Sequence, residues 1–271
     1  MHPTFAILTI FTYLLSMGLY IYFLYTGKEM TGRLASLCLF VGLGLHYVAL
    51  MYRARLTHTV PYHDLQGSMS LFGWLLAVTY LCVEIYHRQR TVGAFVMPVI
   101  LAFIVVADLV PDHEGATAAA AAHGAVFALH VTLSVLAYAA FALACVMSVM
   151  YLVEGRLLRT RRVSDVVWRF PPLELLERMS RTSVFVGLIA IAVGTALGFV
   201  AVDRTPGSGY FDPKYVWTVL VLVLYVVYLQ AGRSAAWRGA RASMLCVFNF
   251  VLVMLSYTVV NIYFSQHHRY F

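Results

Sequence analysis

Eight stretches of this chain are each apolar for long enough to cross a lipid bilayer, at residues 5–25, 34–52, 68–86, 92–109, 125–152, 182–202, 215–231 and 241–264. Hydrocarbon offers backbone N–H and C=O groups no partners, so a spanning segment must satisfy them within itself or in a closed barrel. An α-helix does this in about 20 residues, at 1.5 Å each across roughly 30 Å. The eight runs are each of about that length or longer. They predict an all-α fold, a polytopic membrane helix bundle. Composition agrees: 62% of residues are hydrophobic and 11% charged, where soluble domains carry about 25% charged residues. The whole of 1–271 is expected to form a single integral membrane domain.

Within that frame, the stretch at 92–109 is the weakest, with Pro98 inside it and Asp108 closing it. A kinked span is expected, since neighbours can re-satisfy a carbonyl freed by proline. Phe5–Tyr25 lacks the basic start and small-residue exit of a signal peptide and is read as a retained helix. Cys38, Cys82, Cys145 and Cys246 show no C-x-x-C spacing and read as small packing residues. GLGLH at 42–46 lies inside a span and lacks the strand of a dinucleotide site. Ala190, Gly194 and Gly198 form a small-xxx-small ridge for close helix packing. Pro171 and Pro172 break any helix, and the basic stretch 153–181 reads first as a topology-setting cytoplasmic loop, with Leu173, Leu175, Leu176 and Met179 lying on the membrane surface as the alternative.

Eight crossings put both termini on one side. Of the 19 Lys and Arg residues, fourteen then fall on the opposite side, among them Lys28, Arg33, Arg88, Arg90 and the cluster from Arg156 to Arg181. Arg53, Arg55, Arg204, Lys214 and Arg269 remain with the termini. Cytoplasmic loops carry the excess of positive charge. Both termini are therefore expected outside the cytoplasm. The net charge of +7 speaks to topology and anionic lipid, and calls for no nucleic acid.

This orientation sorts the histidines. His130 opens the run LHVTLSVLAYAAF one to two turns inside the outer edge of its span, and the last span delivers His267 and His268 to the same face. His46 lies in the outer half of the second span. Histidine is rare in a membrane core and faces a bundle interior or cavity. Neutral imidazole is the usual protein ligand of haem iron, and helix bundles build such sites from facing helices. Arg53, Arg55, Arg204 and Lys214 are outer-face cations suited to haem propionates. A hydrogen-bonded helix histidine is the plainer alternative for His130. Ser134 follows one turn later, yet no acidic orienter or oxyanion hole completes a triad. DLVPDHEG (Asp108, Asp112, His113) and THTVPYHD (His58, His63, Asp64) hold donors for a divalent cation without the spacing of a closed shell. No catalytic residue is assigned, and the chain is not expected to be an enzyme on its own.

Several stretches also carry a family resemblance. LHYVALMYR at 45–53 precedes GSMSLFGWL at 67–75; FALHVTLSVLAYAAF at 127–141 leads to FPPLELLER at 170–178; FDPKYVWTVLVLVLYVVYLQ begins at 211 and WRGARAS at 237, before NIYFSQHHRYF at the C-terminus. In that order the chain resembles the cytochrome c assembly family of haem-handling membrane proteins (CcsA/CcmC type), and most closely its YpjD-like eight-helix branch. The resemblance implies a part in cytochrome c maturation and a non-covalent b-type haem (heme) near the outer face. His130 and His268 would be its axial metal ligands, His268 through the pattern Asn261-x(6)-His268-x-Tyr270. It implies maturation proteins or an apocytochrome as partners. His46 matches the branch's own histidine in the second span, either a ligand of a second haem or a hydrogen-bonded residue lining the cavity. Asp212, Pro213 and Lys214 match the family's outer loop, but the sequence RTPGSGYFDPKYV has none of its tryptophans. A membrane scaffold or partner protein that has lost haem transfer is the alternative.

Overall fold

The computed structural model describes the backbone of residues 3–57, 64–110, 125–161, 167–202 and 213–264, and the side chains of 4–56, 64–110, 125–161, 167–200 and 217–255. Eight α-helices fill these residues: α1 (Pro3–Thr26), α2 (Glu29–Thr57), α3 (Leu65–His87), α4 (Gly93–Leu109), α5 (Ala125–Arg159), α6 (Leu173–Val202), α7 (Pro213–Ala231) and α8 (Ala240–Phe264). No strand occurs among the described residues. α1, α2, α3, α5 and α6 are long and apolar enough to cross a membrane by length and composition. α4 and the described parts of α7 and α8 are shorter apolar helices. Ile7, Phe11, Phe40, Ile85, Phe185 and Phe248 are each more than half exposed. Water would penalise so many bare apolar side chains, whereas lipid accommodates them. The chain is a polytopic helical membrane protein.

The helices gather into two compact units, Met1–His123 with Leu157–Pro172, and Gly124–Arg156 with Leu173–Phe271. In the first unit α1 packs along α2 and α4, and α3 packs on α2 and α4. Its core holds Tyr13, Tyr20, Leu39, Leu76, Tyr80 and Met97, all fully buried. Lone polar groups inside find backbone carbonyls: Ser16 Oγ donates to Ala35 O at 2.9 Å, and Trp74 Nε1 to Leu43 O at 3.1 Å. α4 continues through Pro98 as one helix. Arg169, in a short 3₁₀ turn, donates to Leu24 O at 3.2 Å. This guanidinium meets one of the carbonyls orphaned at the C-terminal end of α1, where a cation also suits the helix dipole.

In the second unit α5 runs 35 residues, about 52 Å at 1.5 Å per residue, and so continues well past the apolar stretch that ends at 152. α6 starts at Leu173, directly after Pro171 and Pro172. Leu176 and Met179 are fully buried. The end of the stretch read as a loop, or alternatively as a surface segment, thus forms the first turns of α6, because its apolar positions find a protein face to pack on. Phe141 of α5 stacks on Tyr225 of α7 with ring centroids 3.8 Å apart and planes within 9°. Ser180 of α6 joins three other helices: its Oγ lies 3.1 Å from Ser148 Oγ, 3.0 Å from Tyr228 Oη and 3.8 Å from Cys246 Sγ. The four cysteines are all free.

Candidate functional site

His130 sits in the second turn of α5, half-buried, with its ring against α6. Its Nδ1 lies 2.6 Å from the carbonyl oxygen of Gly194. A carbonyl oxygen only accepts, so Nδ1 must carry the proton and donate. The neutral tautomer this selects keeps its lone pair on Nε2, which has no hydrogen-bond partner among the described residues. Gly198 makes room for the ring: a Cβ at that position would sit 2.8 Å from His130 Cε1 and 2.9 Å from Nδ1. Gly194 makes room one turn earlier, where a Cβ would meet Leu133 and Ser134 at 3.3 Å. The small-residue ridge expected only to pack helices also cradles an imidazole. Ser134 Oγ donates back to His130 O at 2.8 Å and takes no part in the ring's contacts.

His46 is different. It is fully buried in the first unit, with Nε2 2.9 Å from Ser70 Oγ and Nδ1 3.4 Å from Tyr13 Oη. Both ring nitrogens therefore face hydroxyl groups, which can donate or accept as the tautomer requires.

Arg53 and Asp64 form a two-pronged ion pair, Nη2 to Oδ2 at 2.5 Å and Nη1 to Oδ1 at 3.2 Å. Asp64 is also the N-cap of α3, accepting from the Gly67 N–H at 3.1 Å. Burial by itself would raise this carboxyl; the hydrogen bonds and charge of Arg53, with the Gly67 N–H, outweigh it and hold it below the usual carboxylate value. Asp64 thus serves as a cap and counter-ion where the sequence offered it as a loop ligand. Arg55 is exposed. His268, Asp212, His58, His63, Asp112 and His113 lie outside the described residues, as does the side chain of Lys214. No group of three or more His, Cys, Asp or Glu residues able to hold a metal ion occurs among the described residues.

A cluster that the sequence pattern alone did not single out surrounds Glu84, 3% exposed in α3. Oε2 accepts from Tyr20 Oη at 2.5 Å and Tyr80 Oη at 2.6 Å, while Oε1 accepts from Ser36 Oγ. Arg90 donates to Ser36 Oγ at 3.3 Å and to Glu29 Oε2 at 3.1 Å, with its Nε 3.8 Å from Glu84 Oε1. Gly93 permits this closeness, since a Cβ there would stand 2.5 Å from Tyr80 Oη and 2.6 Å from the Tyr20 ring. The signal was available: a lone carboxylate inside the apolar run LCVEIY, where an ionisable residue needs a partner.

Chemically, the His130 arrangement suits metal ligation. A backbone carbonyl that holds one ring nitrogen fixes the tautomer, orients the ring and raises the basicity of the other nitrogen. Imidazole presented in this way fits haem iron in its donor type.

The family model described as cytochrome C assembly protein matches residues 62–268, a range that includes both His130 and His268 and leaves out His46. A protein named HemX from Brevibacillus brevis is 25% identical over 253 residues, covering 92% of this chain and 92% of its own. Cytochrome c biogenesis protein CcsA of Chlorella vulgaris is 22% identical over 242 residues, covering 78% of this chain and 77% of its own. The CcsA of Parasynechococcus marenigrum is 26% identical over 235 residues, with 78% and 77% covered. From α3 to the C-terminal histidines, the chain belongs to the cytochrome c assembly protein family.

Proposed function

We propose that this protein acts in cytochrome c maturation by holding a non-covalent b-type haem near the outer membrane face, with His130 and His268 as axial ligands. The observation that carries the reading is the Nδ1 contact of His130 with Gly194, which reserves Nε2 for a ligand. Haem supplies the iron that the two imidazoles hold. His130 is set in place by the Gly194 carbonyl and by the space above Gly198. Asp212 and Lys214 are the polar groups proposed near it, with Lys214 offsetting propionate charge. His46, Arg53 and Arg55 belong to the first unit and carry no part of this assignment. The termini are proposed to face out of a bacterial inner membrane, because the positive charge gathers on the other side. The partners proposed are other maturation proteins or the apocytochrome itself.

The absorption spectrum of the detergent-purified protein tests this reading. A six-coordinate low-spin haem is expected in the wild type. Five-coordinate iron or lower haem content is expected in His130→Ala and His268→Ala, since each removes one axial ligand. A double variant with wild-type haem content and spectrum would end the bis-histidine assignment. A wild type that neither carries nor accepts haem would favour a scaffold that has lost it.

A further inference from the structure

A groove of about 530 Å³ opens between α2, α3 and the turn from α3 to α4. Its composition changes along its length. At the helix ends it is lined by Arg88 and Arg90, and deeper by Leu37, Phe40, Leu81 and Ile85. Leu81 and Arg88 are seven residues apart, so the cationic end and the apolar wall are separated by about 10 Å along the helix. Leu37, Phe40 and Ile85 are 56%, 65% and 67% exposed, largely uncovered by the described residues.

The two arginines are held differently. Arg90 is held by exposed Glu29 on one side and by Ser36 and buried Glu84 on the other, while its Nη2 has no partner among the described residues. Arg88 is the left-handed C-cap of α3 at φ 55, exposed, and has no partner among the described residues. The buried carboxylate at the groove floor does not compete for Arg88, because three hydroxyl donors and Arg90 already meet its oxygens.

We propose that this groove is a binding site for a phospholipid: Arg88, with Arg90, takes the phosphate, and the apolar wall takes the start of an acyl chain. A phosphate at the end of a spanning helix and hydrocarbon one to two turns deeper is the order in which a lipid presents the same groups. An arginine left free at such a place matches the phosphate oxygens in charge and geometry. The site lies wholly within the first unit and is independent of the haem reading.

Native mass spectrometry of the full chain in detergent, titrated with phosphatidylglycerol, diacylglycerol or inorganic phosphate, tests the proposal. Arg88→Gln removes the charge. Arg88→Gly removes it with a residue that favours the left-handed backbone, so the fold is kept even if glutamine strains it. The wild type is expected to bind one phosphatidylglycerol more tightly than diacylglycerol. Both variants are expected to lose affinity about tenfold, the weight of a charge-assisted hydrogen bond, down to the level of diacylglycerol. Phosphatidylglycerol affinity unchanged in both variants would overturn the assignment. So would binding of inorganic phosphate that displaces the lipid, since the site would then recognise a free anion.

Discussion

The Nδ1 of His130 donates to the carbonyl oxygen of Gly194 at 2.6 Å, across the contact between α5 and α6. One backbone acceptor thereby sets both the tautomer of the imidazole and the direction of its other nitrogen.

Gly198 should be the most sensitive small residue around this contact. An added Cβ would fall 2.8 Å from Cε1 of the ring, and α6 backbone leaves it no other place. Overpacking of this kind costs about 1–3 kcal/mol. Gly198→Ala is expected to lower the thermal midpoint and to turn the ring away, with loss of bound haem or a changed spectrum. Gly18→Ala is the control: nothing lies within 4 Å of its added Cβ, and helix propensity favours alanine. Thermal unfolding and the absorption spectrum of the two variants, side by side, check the contrast.

Asp64 gives a pH-dependent prediction. Its carboxyl titrates below the ordinary value in the folded chain, so its contribution is complete above the unfolded value of about 3.9 and is lost as pH falls through the lower folded value. Asp64→Ala removes both the cap on α3 and the partner of Arg53. Loss of such a cap costs about 1 kcal/mol. The midpoint of the variant is expected below wild type by a constant interval from pH 8 to pH 5, and the interval should close in more acidic buffer. Asp64→Asn, which can still cap, should fall between the two.

Glu84 ties α1, α2 and α3 together, since Tyr20, Ser36 and Tyr80 reach one carboxylate from three helices. Hydrogen bonds to a charged group are worth about 1.5–3 kcal/mol each. Tyr20→Phe and Tyr80→Phe are expected to destabilise by that order. The double variant should depart from their sum, because both hydroxyls share Oε2 and each strengthens its hold when the other leaves. Glu84→Leu should be worse than either, as it removes the carboxylate acceptor of both tyrosine hydroxyls and a counter-charge of Arg90 at once, while Ser36 keeps Gly32 O. A double-mutant cycle read by denaturant unfolding checks the coupling; strict additivity would count against a shared acceptor.

The eight helices were legible because crossing hydrocarbon imposes about 20 apolar residues with their own hydrogen bonds, and nothing else in the chain competes with that pattern. Helix ends beyond the bilayer were not. α5 runs on to Arg159, and Leu176 and Met179 turn inward at the start of α6, for reasons of tertiary packing that the proline pair alone does not reveal. The ridge of Ala190, Gly194 and Gly198 could be read as close packing, yet not as a cradle for His130. Its active element is a backbone carbonyl, which every residue has and no sequence distinguishes. Glu84 left a trace in the sequence as a carboxylate among apolar residues, while its partners Tyr20 and Ser36 lie 64 and 48 residues before it.

His46 provides the last prediction. Its ring is fully buried and both nitrogens are engaged, Nε2 by Ser70 and Nδ1 by Tyr13. An imidazole used in this way has no lone pair left over for iron unless one of those hydrogen bonds is given up, and a buried hydroxyl stranded by that loss costs about 1–3 kcal/mol. The ring also packs edge-on against Tyr13, with centroids 5.9 Å apart, so turning it would disturb the α1–α2 contact as well. His46→Ala is therefore expected to lower the thermal midpoint while leaving the haem bound per chain unchanged. Ser70→Ala should destabilise by less, since it removes one hydrogen bond and leaves the ring's packing in place. Haem stoichiometry measured against protein concentration separates the roles. A fall from two haems to one on His46→Ala would make this histidine an iron ligand, whereas one haem in both proteins makes it a structural link between α1, α2 and α3.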